Sequence, residues 1–147
     1  MKRIIKLTLL ADLASCLVMF LSYLVIKPNK AILALFYSFG NIFIPTFIGV
    51  LIFRLLRKKM ILSDPFRTIA FQTFVLTLIF LAGIFIWATV DVLLFGNLHS
   101  GHWNIAKEFN SEFKFWLPAL FSLAFFIPFI DYRMGRTDIE LENKHSS

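Results

Sequence analysis

Two histidines, His99 and His102, lie three residues apart between the last two apolar segments of the chain. Three carboxylates, those of Asp91, Glu108 and Glu112, are close to them in sequence. Imidazole nitrogens together with carboxylate oxygens form a ligand set that zinc accepts. His-x-x-His spacing alone is weak evidence, because it recurs in unrelated loops. We therefore predict no metal site, and His99 and His102 are the weak candidates for one.

Paired carboxylates are the other chemistry that the residue types suggest. We take Asp12 and Asp91 as the aspartate pair of the predicted membrane segments. Acid–base catalysis requires both groups within reach of one substrate, whereas the elements described below place them at opposite faces of a membrane. The chain also has no glycine-rich phosphate loop, no Gly-x-Ser-x-Gly and no His-Glu-x-x-His. We predict a protein that is not an enzyme, without catalytic residues and without a bound cofactor.

The single cysteine, Cys16, ends a stretch at 13–16 that resembles the cleavage box of a bacterial lipoprotein signal peptide. Such a peptide needs an uninterrupted apolar core before the box, but Lys6 and Asp12 leave only five residues between them. Cleavage before Cys16 would also leave residues 17–26, ten residues that are too short to cross a bilayer. The sequence therefore predicts an uncleaved helix in which Cys16 remains an unlipidated thiol.

The composition of the chain indicates that much of it lies in a membrane. Of 147 residues, 59% are hydrophobic and 16% are charged, and the mean hydropathy is +0.77. Soluble domains contain about half apolar and about a quarter charged residues. A soluble core of this size cannot bury the surplus.

Four apolar segments are long enough, or nearly so, to cross about 30 Å of hydrocarbon. We predict one membrane domain, 1–147, and an all-α fold, an antiparallel four-transmembrane-helix bundle. The spans are expected at about 7–26, 31–53, 68–95 and 113–132, with a turn at 27–30, a basic loop at 54–67, an outer loop at 96–112 and a tail at 133–147. In the basic loop, Ser63 or Asp64 is expected to cap the third helix, with Pro65 in its first turn.

Charge predicts the orientation. Eleven of the 15 lysines and arginines fall in the N-terminus, the basic loop and the tail. The positive-inside rule then places both termini in the cytoplasm of a plasma or inner membrane. The net charge of +6 is therefore explained by the orientation of the chain in the membrane. We predict no nucleic-acid partner. Contact with anionic lipid headgroups or a partner protein is a second use of Arg54, Arg57, Lys58 and Lys59.

The outer loop ends in a stretch with an apolar side formed by Ile105, Phe109 and Phe113. Charged residues, Lys107 among them, surround that side. This pattern predicts a short interfacial helix lying on the outer leaflet.

Polar residues within the spans are expected to face other helices, because packing and hydrogen bonds hold membrane helices together. The expected intramembrane polar residues are Asp12, Asn41, Gln72 and Asp91. Three- and four-residue spacing predicts the interior faces. These are Thr8, Asp12, Ser15, Cys16, Met19 and Ser22 in the first span, Ala34, Ser38, Asn41, Pro45 and Gly49 in the second, Gln72, Leu76, Gly83, Trp87 and Asp91 in the third, and Pro118, Ser122 and Phe125 in the fourth. Asp12 is expected to bond to Gln72 or to pair with Arg54, since the three residues lie at similar depth.

Two functions remain open at this point. The first is a non-enzymatic accessory or scaffold subunit of a larger membrane complex, with lipids and other membrane subunits, or further copies of itself, as partners. The alternative is a small homo-oligomeric transporter or channel that uses the polar faces around Asp12, Asn41 and Asp91. The absence of a carboxylate or histidine at the expected midplane favours the first.

Overall fold

The computed structural model describes residues 1–95 and 105–146, which are almost entirely helical with no strand among them. The all-α prediction is therefore confirmed. The helices are α1 (Lys2–Ile26), α2 (Ala31–Leu56), α3 (Pro65–Phe95) and α4 (Ile105–Ser146), and 3-10 turns cover Pro28–Lys30 and Arg57–Met60.

Each of the four helices contains a stretch that is long and apolar enough to cross a membrane. These stretches are Lys2–Ile26, Ser38–Met60, Pro65–Leu94 and Trp116–Arg136. The prediction of four membrane-spanning helices is thus supported by the length and composition of the helices themselves.

A short turn joins α1 to α2. The backbone N–H of Lys27 donates to the carbonyl of Tyr23 at 2.8 Å, and that of Lys30 donates to the carbonyl of Lys27 at 2.9 Å. Pro28 begins the 3-10 turn between them, where its missing N–H is of no consequence. The two helices are therefore neighbours in space as well as in sequence.

The start of α3 is held by side chains of the basic loop. Asp64 Oδ2 accepts from the backbone N–H of Arg67 at 3.2 Å, and Pro65 is the first residue of the helix. Thr68 Oγ1 accepts from the backbone N–H of Leu62 at 2.9 Å and donates to its carbonyl at 3.2 Å. The predicted cap is confirmed and belongs to Asp64.

The segment 105–113 is helical, but it is the beginning of α4 and not a separate short helix, so that part of the prediction is wrong. No glycine or proline interrupts the chain between residues 105 and 117. Phe109 stacks on Phe113 one turn later, with ring centroids 5.8 Å apart, and meets Phe85 of α3 edge-on at 6.1 Å. The segment is thereby packed along α3.

Helices α1 and α4 occupy the middle of the arrangement. Helix α1 packs against α2 on one side and α4 on the other, and α4 also packs against α3. In the described part of the chain, α2 and α3 meet over a short length and α1 and α3 do not approach each other. Side chains on the inner faces of α1 and α4 are consequently the most enclosed.

Glycine allows α2, α3 and α4 to meet at one point. A Cβ atom built on Gly49 would lie 2.5 Å from Cζ of Phe80 in α3 and 3.5 Å from Cδ1 of Ile127 in α4. A side chain at this position would have to displace the Phe80 ring. By contrast, a Cβ on Gly40 or Gly83 would have no neighbour within 4 Å in the part of the chain that the structure describes, and both glycines are exposed.

Candidate functional site

Polar side chains line the buried face of α1. This inner polar face consists of Thr8, Asp12, Ser15, Cys16 and, one turn on, Met19, all buried. The Thr8 hydroxyl donates to the carbonyl of Ile4 at 2.9 Å, an internal bond that removes its need for a partner on another helix. Five of the six residues predicted for this face are therefore buried, whereas Ser22 is half-buried and donates to the carbonyl of Val18 at 2.8 Å.

A serine pair joins this face to α4. The Ser122 hydroxyl lies 3.1 Å from the Ser15 hydroxyl and also 2.9 Å from the carbonyl of Ala119, which accepts from it. Both serines are buried. Hydrogen bonds of this kind between membrane helices contribute about 0.6 kcal/mol each.

Asp12 is enclosed but only partly satisfied. It is 1% exposed, and the Cys16 thiol donates to its Oδ1 over 3.9 Å. Its Oδ2 has no hydrogen-bond partner in the described residues. The expected bond to Gln72 or Arg54 is not formed. Helix α1 does not approach α3, which carries Gln72, so similar depth along the helices does not make the two residues neighbours.

The interior face of α2 differs from the predicted one. Ala34 and Ser38 are buried as expected, but Asn41 and Pro45 are exposed. The enclosed positions that follow are Ile42, Thr46, Gly49, Val50 and Phe53. Each residue advances the helix by about 100°. A shift of the buried face by one position therefore turns Asn41 away from the interior.

Helix α3 agrees with its prediction over the first half only. Gln72 and Leu76 are buried, whereas Gly83 and Trp87 are exposed and Asp91 is half-buried. In α4, Ser122 is buried, Pro118 is half-buried and Phe125 is exposed. Asp12, Asn41 and Asp91 therefore do not share one interior surface.

An ion-pair cluster brings three elements together near the end of the apolar stretch of α4, Trp116–Arg136. Asp131 Oδ2 accepts from Arg57 Nη1 at 2.8 Å, and its Oδ1 accepts from Arg3 Nη2 at 3.3 Å. The same Arg3 nitrogen donates to the backbone carbonyl of Asp131 at 3.3 Å. The Asp131 side chain is 11% exposed and each arginine side chain is 33% exposed. This arginine–aspartate cluster ties α1 and the turn after α2 to α4.

Asp131 is absent from the polar residues predicted from the sequence. It lies two residues before Arg133, just inside the end of the fourth span predicted at 113–132. The sequence feature that could have identified Asp131 is that it is a single carboxylate next to a group of basic residues. Its partners come from positions 128 and 74 residues away in sequence, so spacing could not identify them.

The four basic residues proposed for lipid or partner contact are in different environments. Arg57 is engaged by Asp131, and Arg54 is half-buried. Lys58 and Lys59 are exposed. Only the two lysines of this group present a largely open side chain.

The candidate metal ligands His99 and His102 lie outside the described residues. Within the residues that are described, no group of three or more histidine, cysteine, aspartate or glutamate side chains is positioned to hold a metal ion. The structure describes two polar groups that are candidates for a functional site. They are the inner polar face and the arginine–aspartate cluster.

Neither protein-family models nor curated proteins nor solved structures gave a match to this chain. The two polar groups have different compositions. The inner polar face offers hydroxyls, a thiol and one carboxylate, and the arginine–aspartate cluster carries two positive charges against one negative charge. These groups and the exposed apolar faces are the basis of the functional proposals.

Proposed function

We propose that this protein is a small, non-enzymatic membrane subunit that supports or scaffolds a larger membrane complex. Its four helices cross a plasma or inner membrane as an antiparallel bundle with both termini in the cytoplasm. The observation that carries the proposal is that polar side chains of this protein bond to each other and hold its own helices together. Ser15 and Ser122, and Arg3, Arg57 and Asp131, connect one helix to another within the chain.

The arginine–aspartate cluster supports the proposed orientation. It brings the beginning of α1, the turn after α2 and the last part of the fourth span to the same end of the structure. These are the regions that hold most of the lysines and arginines. A membrane protein keeps such an end on the cytoplasmic side.

The outer surface of α3 supports a role in assembly. Only 11% of the most apolar stretch of α3 is buried within the chain, compared with 44% for α4. Exposed large apolar side chains are frequent on α2 and α3, including Phe36, Phe39, Phe43, Phe74, Phe85, Ile86 and Leu93. Such surface is suited to contact with lipid or with the helix of another subunit.

A transporter or channel remains the second candidate, because Asp12 is buried and one of its oxygens has no partner among the described residues. Intramembrane carboxylates commonly mark ion or proton sites. The route proposed for that function needs Asn41, which lies on the exposed side of α2. It therefore requires a symmetric oligomer that encloses this side.

We expect cysteine reporters to follow the proposed topology. In a Cys16→Ala background, a cysteine at Asn97 or Ser100 should react with a membrane-impermeant maleimide added outside intact cells. A cysteine at Ser146 should react only after the membrane is permeabilised. The Cys16→Ala protein without a reporter is the control for background labelling, and the reverse pattern would refute the orientation.

The assembly proposal is tested by the open glycine of α3. Tryptophan at Gly83 has space in the isolated chain, so Gly83→Trp should leave thermal stability unchanged. If α3 contacts another subunit, the variant should co-purify with at least fivefold less of the wild-type partner in mild detergent. This expectation allows for a loss of about 1–3 kcal/mol from overpacking at the contact.

Gly40→Trp on α2 is the matched control for that experiment, since it adds the same side chain on another open surface. Equal recovery of a partner with Gly83→Trp, Gly40→Trp and wild type would contradict a contact through α3. Purification as a homo-oligomer alone, with an ion flux in proteoliposomes that Asp12→Asn abolishes, would favour the transporter.

A further inference from the structure

A shallow groove of about 390 Å³ runs along the outer side of the first turns of α1. It is lined by Lys2, Ile5, Lys6, Leu9 and Leu10. These residues are not on the helix face that packs inward, because Leu7, Thr8 and Ala11 are the buried residues of the same turns. The groove therefore opens toward whatever surrounds the protein.

Two lysines border the upper part of the groove, whose lining surface is itself apolar. Lys2 and Lys6 are exposed, and their four-residue spacing places them on the same side of the helix. No aspartate or glutamate occurs in the chain before Asp12, and Asp12 is on the buried face. An anionic group at this position meets positive charge without a nearby carboxylate from α1.

The other residues that line the groove are apolar. Ile5, Leu9 and Leu10 are 47%, 49% and 39% exposed. From Lys2 to Leu10 the helix rises by about 12 Å. In the proposed orientation the lysines lie at the level of the lipid headgroups and the leucines lie within the hydrocarbon. Lys2 and Lys6 thus lie nearer the headgroups than Leu9 and Leu10, in the same order as the headgroup and the chain of a phospholipid.

The basic loop does not offer the same arrangement. Lys58 and Lys59 are exposed, but they are consecutive residues of a 3-10 turn, so their side chains diverge by about 120°. Arg57 beside them is paired with Asp131. Two lysines that point the same way above an apolar groove are found on α1.

We propose that this groove binds one anionic phospholipid of the cytoplasmic leaflet, with its phosphate between Lys2 and Lys6 and one acyl chain along Ile5, Leu9 and Leu10. The inference rests on the proposed membrane orientation. It assigns lipid recognition to the start of α1 and not to the basic loop.

Native mass spectrometry of the delipidated full-length protein in detergent tests this inference. Phosphatidylglycerol and phosphatidylcholine with identical chains are added in separate titrations. Wild type should retain one phosphatidylglycerol in preference to phosphatidylcholine. Lys2→Gln/Lys6→Gln should weaken that binding on the order of 30-fold, since each lysine contributes about one kilocalorie per mole of attraction. Lys58→Gln/Lys59→Gln, which removes the same charge, should remain within about twofold of wild type.

Four outcomes would overturn the inference. They are equal binding of the two lipids, equal losses in the two double variants, loss in the loop variant alone, and displacement of the lipid by inorganic phosphate at a similar concentration. Thermal unfolding of both variants checks that they are folded. The mass measurement does not depend on orientation, so reversed maleimide labelling together with the expected lipid binding would refute the topology and the assignment to the cytoplasmic leaflet, and would leave the lipid site on α1 in place.

Discussion

Asp131→Asn is expected to destabilise the protein by about 2 kcal/mol, because two arginine side chains lose their shared carboxylate. Hydrogen bonds to charged groups contribute about 1.5–3 kcal/mol, and breaking a fully buried ion pair costs about 3–5 kcal/mol. Each arginine is 33% exposed, so water compensates in part and the lower range applies. The measurement is the free energy of unfolding in one detergent.

Asp64→Asn is the matched control for this change. Asp64 is exposed and caps α3 through one oxygen, and asparagine caps a helix as well as aspartate does. The same chemical replacement should therefore cost less than about 0.5 kcal/mol there. Similar stability of the two variants would show that the arginine–aspartate cluster does not hold the helices together.

A double-mutant cycle separates the pair from its surroundings. Arg57→Gln and Asp131→Asn should show a coupling energy above about 0.5 kcal/mol, because their side chains are 2.8 Å apart. Additive effects would place the cost of Asp131→Asn elsewhere. The cluster joins α1, α2 and α4, so its loss should also increase protease sensitivity near both Arg57 and Asp131.

Asp12→Leu is expected to have the opposite effect and to stabilise the protein by about 1 kcal/mol or more. The Asp12 carboxylate is 1% exposed and its Oδ2 has no partner in the described residues. A buried polar atom without a partner costs about 1–3 kcal/mol, and an apolar replacement of similar size removes that cost. Cys16 loses its acceptor, but the thiol is a weak donor.

Two further variants locate the origin of the effect. Asp12→Asn keeps an oxygen for Cys16 and should change stability by no more than about 0.6 kcal/mol. Ser122→Ala removes a satisfied contact with Ser15 and should lower stability by a similar amount. The three variants are compared by unfolding under one set of detergent conditions.

Lower stability of Asp12→Leu would mean that Oδ2 is bound to a water molecule, an ion or a partner group in the folded protein. That result would favour the transporter. Normal folding of Asp12→Asn with the loss of an ion- or proton-dependent activity would favour it further. The accessory function instead predicts that Asp12→Asn and wild type recover the same partners.

The two aspartates show why burial alone does not identify an important residue. Asp12 is the more enclosed of the two, yet its one hydrogen-bond partner among the described residues is a thiol at 3.9 Å. Asp131 is slightly less enclosed and accepts from two guanidinium groups. We expect the number and charge of the partners to decide the sign of each mutation.

Local and compositional features of this protein could be predicted from its sequence. Apolar length and charge bias predict four membrane helices, and the cap at Asp64 depends only on residues next to it. The inner face of α1 was also predictable, because polar and apolar residues alternate there with helical spacing. In each case the information lies within a few turns of the chain.

The buried faces of α2 and of the second half of α3 were decided by the tertiary structure. These segments are apolar on nearly every side, so periodicity does not distinguish an interior face from a lipid-facing one. A single-residue shift exposes Asn41 and buries Ile42. Which side is enclosed depends on where α1 and α4 lie, and that position is set by packing between helices.

The arginine–aspartate cluster also required the tertiary structure. Arg3 and Asp131 are separated by 128 residues, and several other basic residues at the same end of the protein were equally plausible partners from sequence. The position of a residue along its helix predicts its depth in the membrane. The helices packed against that helix determine which groups the residue can reach. Asp12 and Gln72 have similar predicted depth but lie on helices that do not meet, and that arrangement comes from the packing of α4 between them.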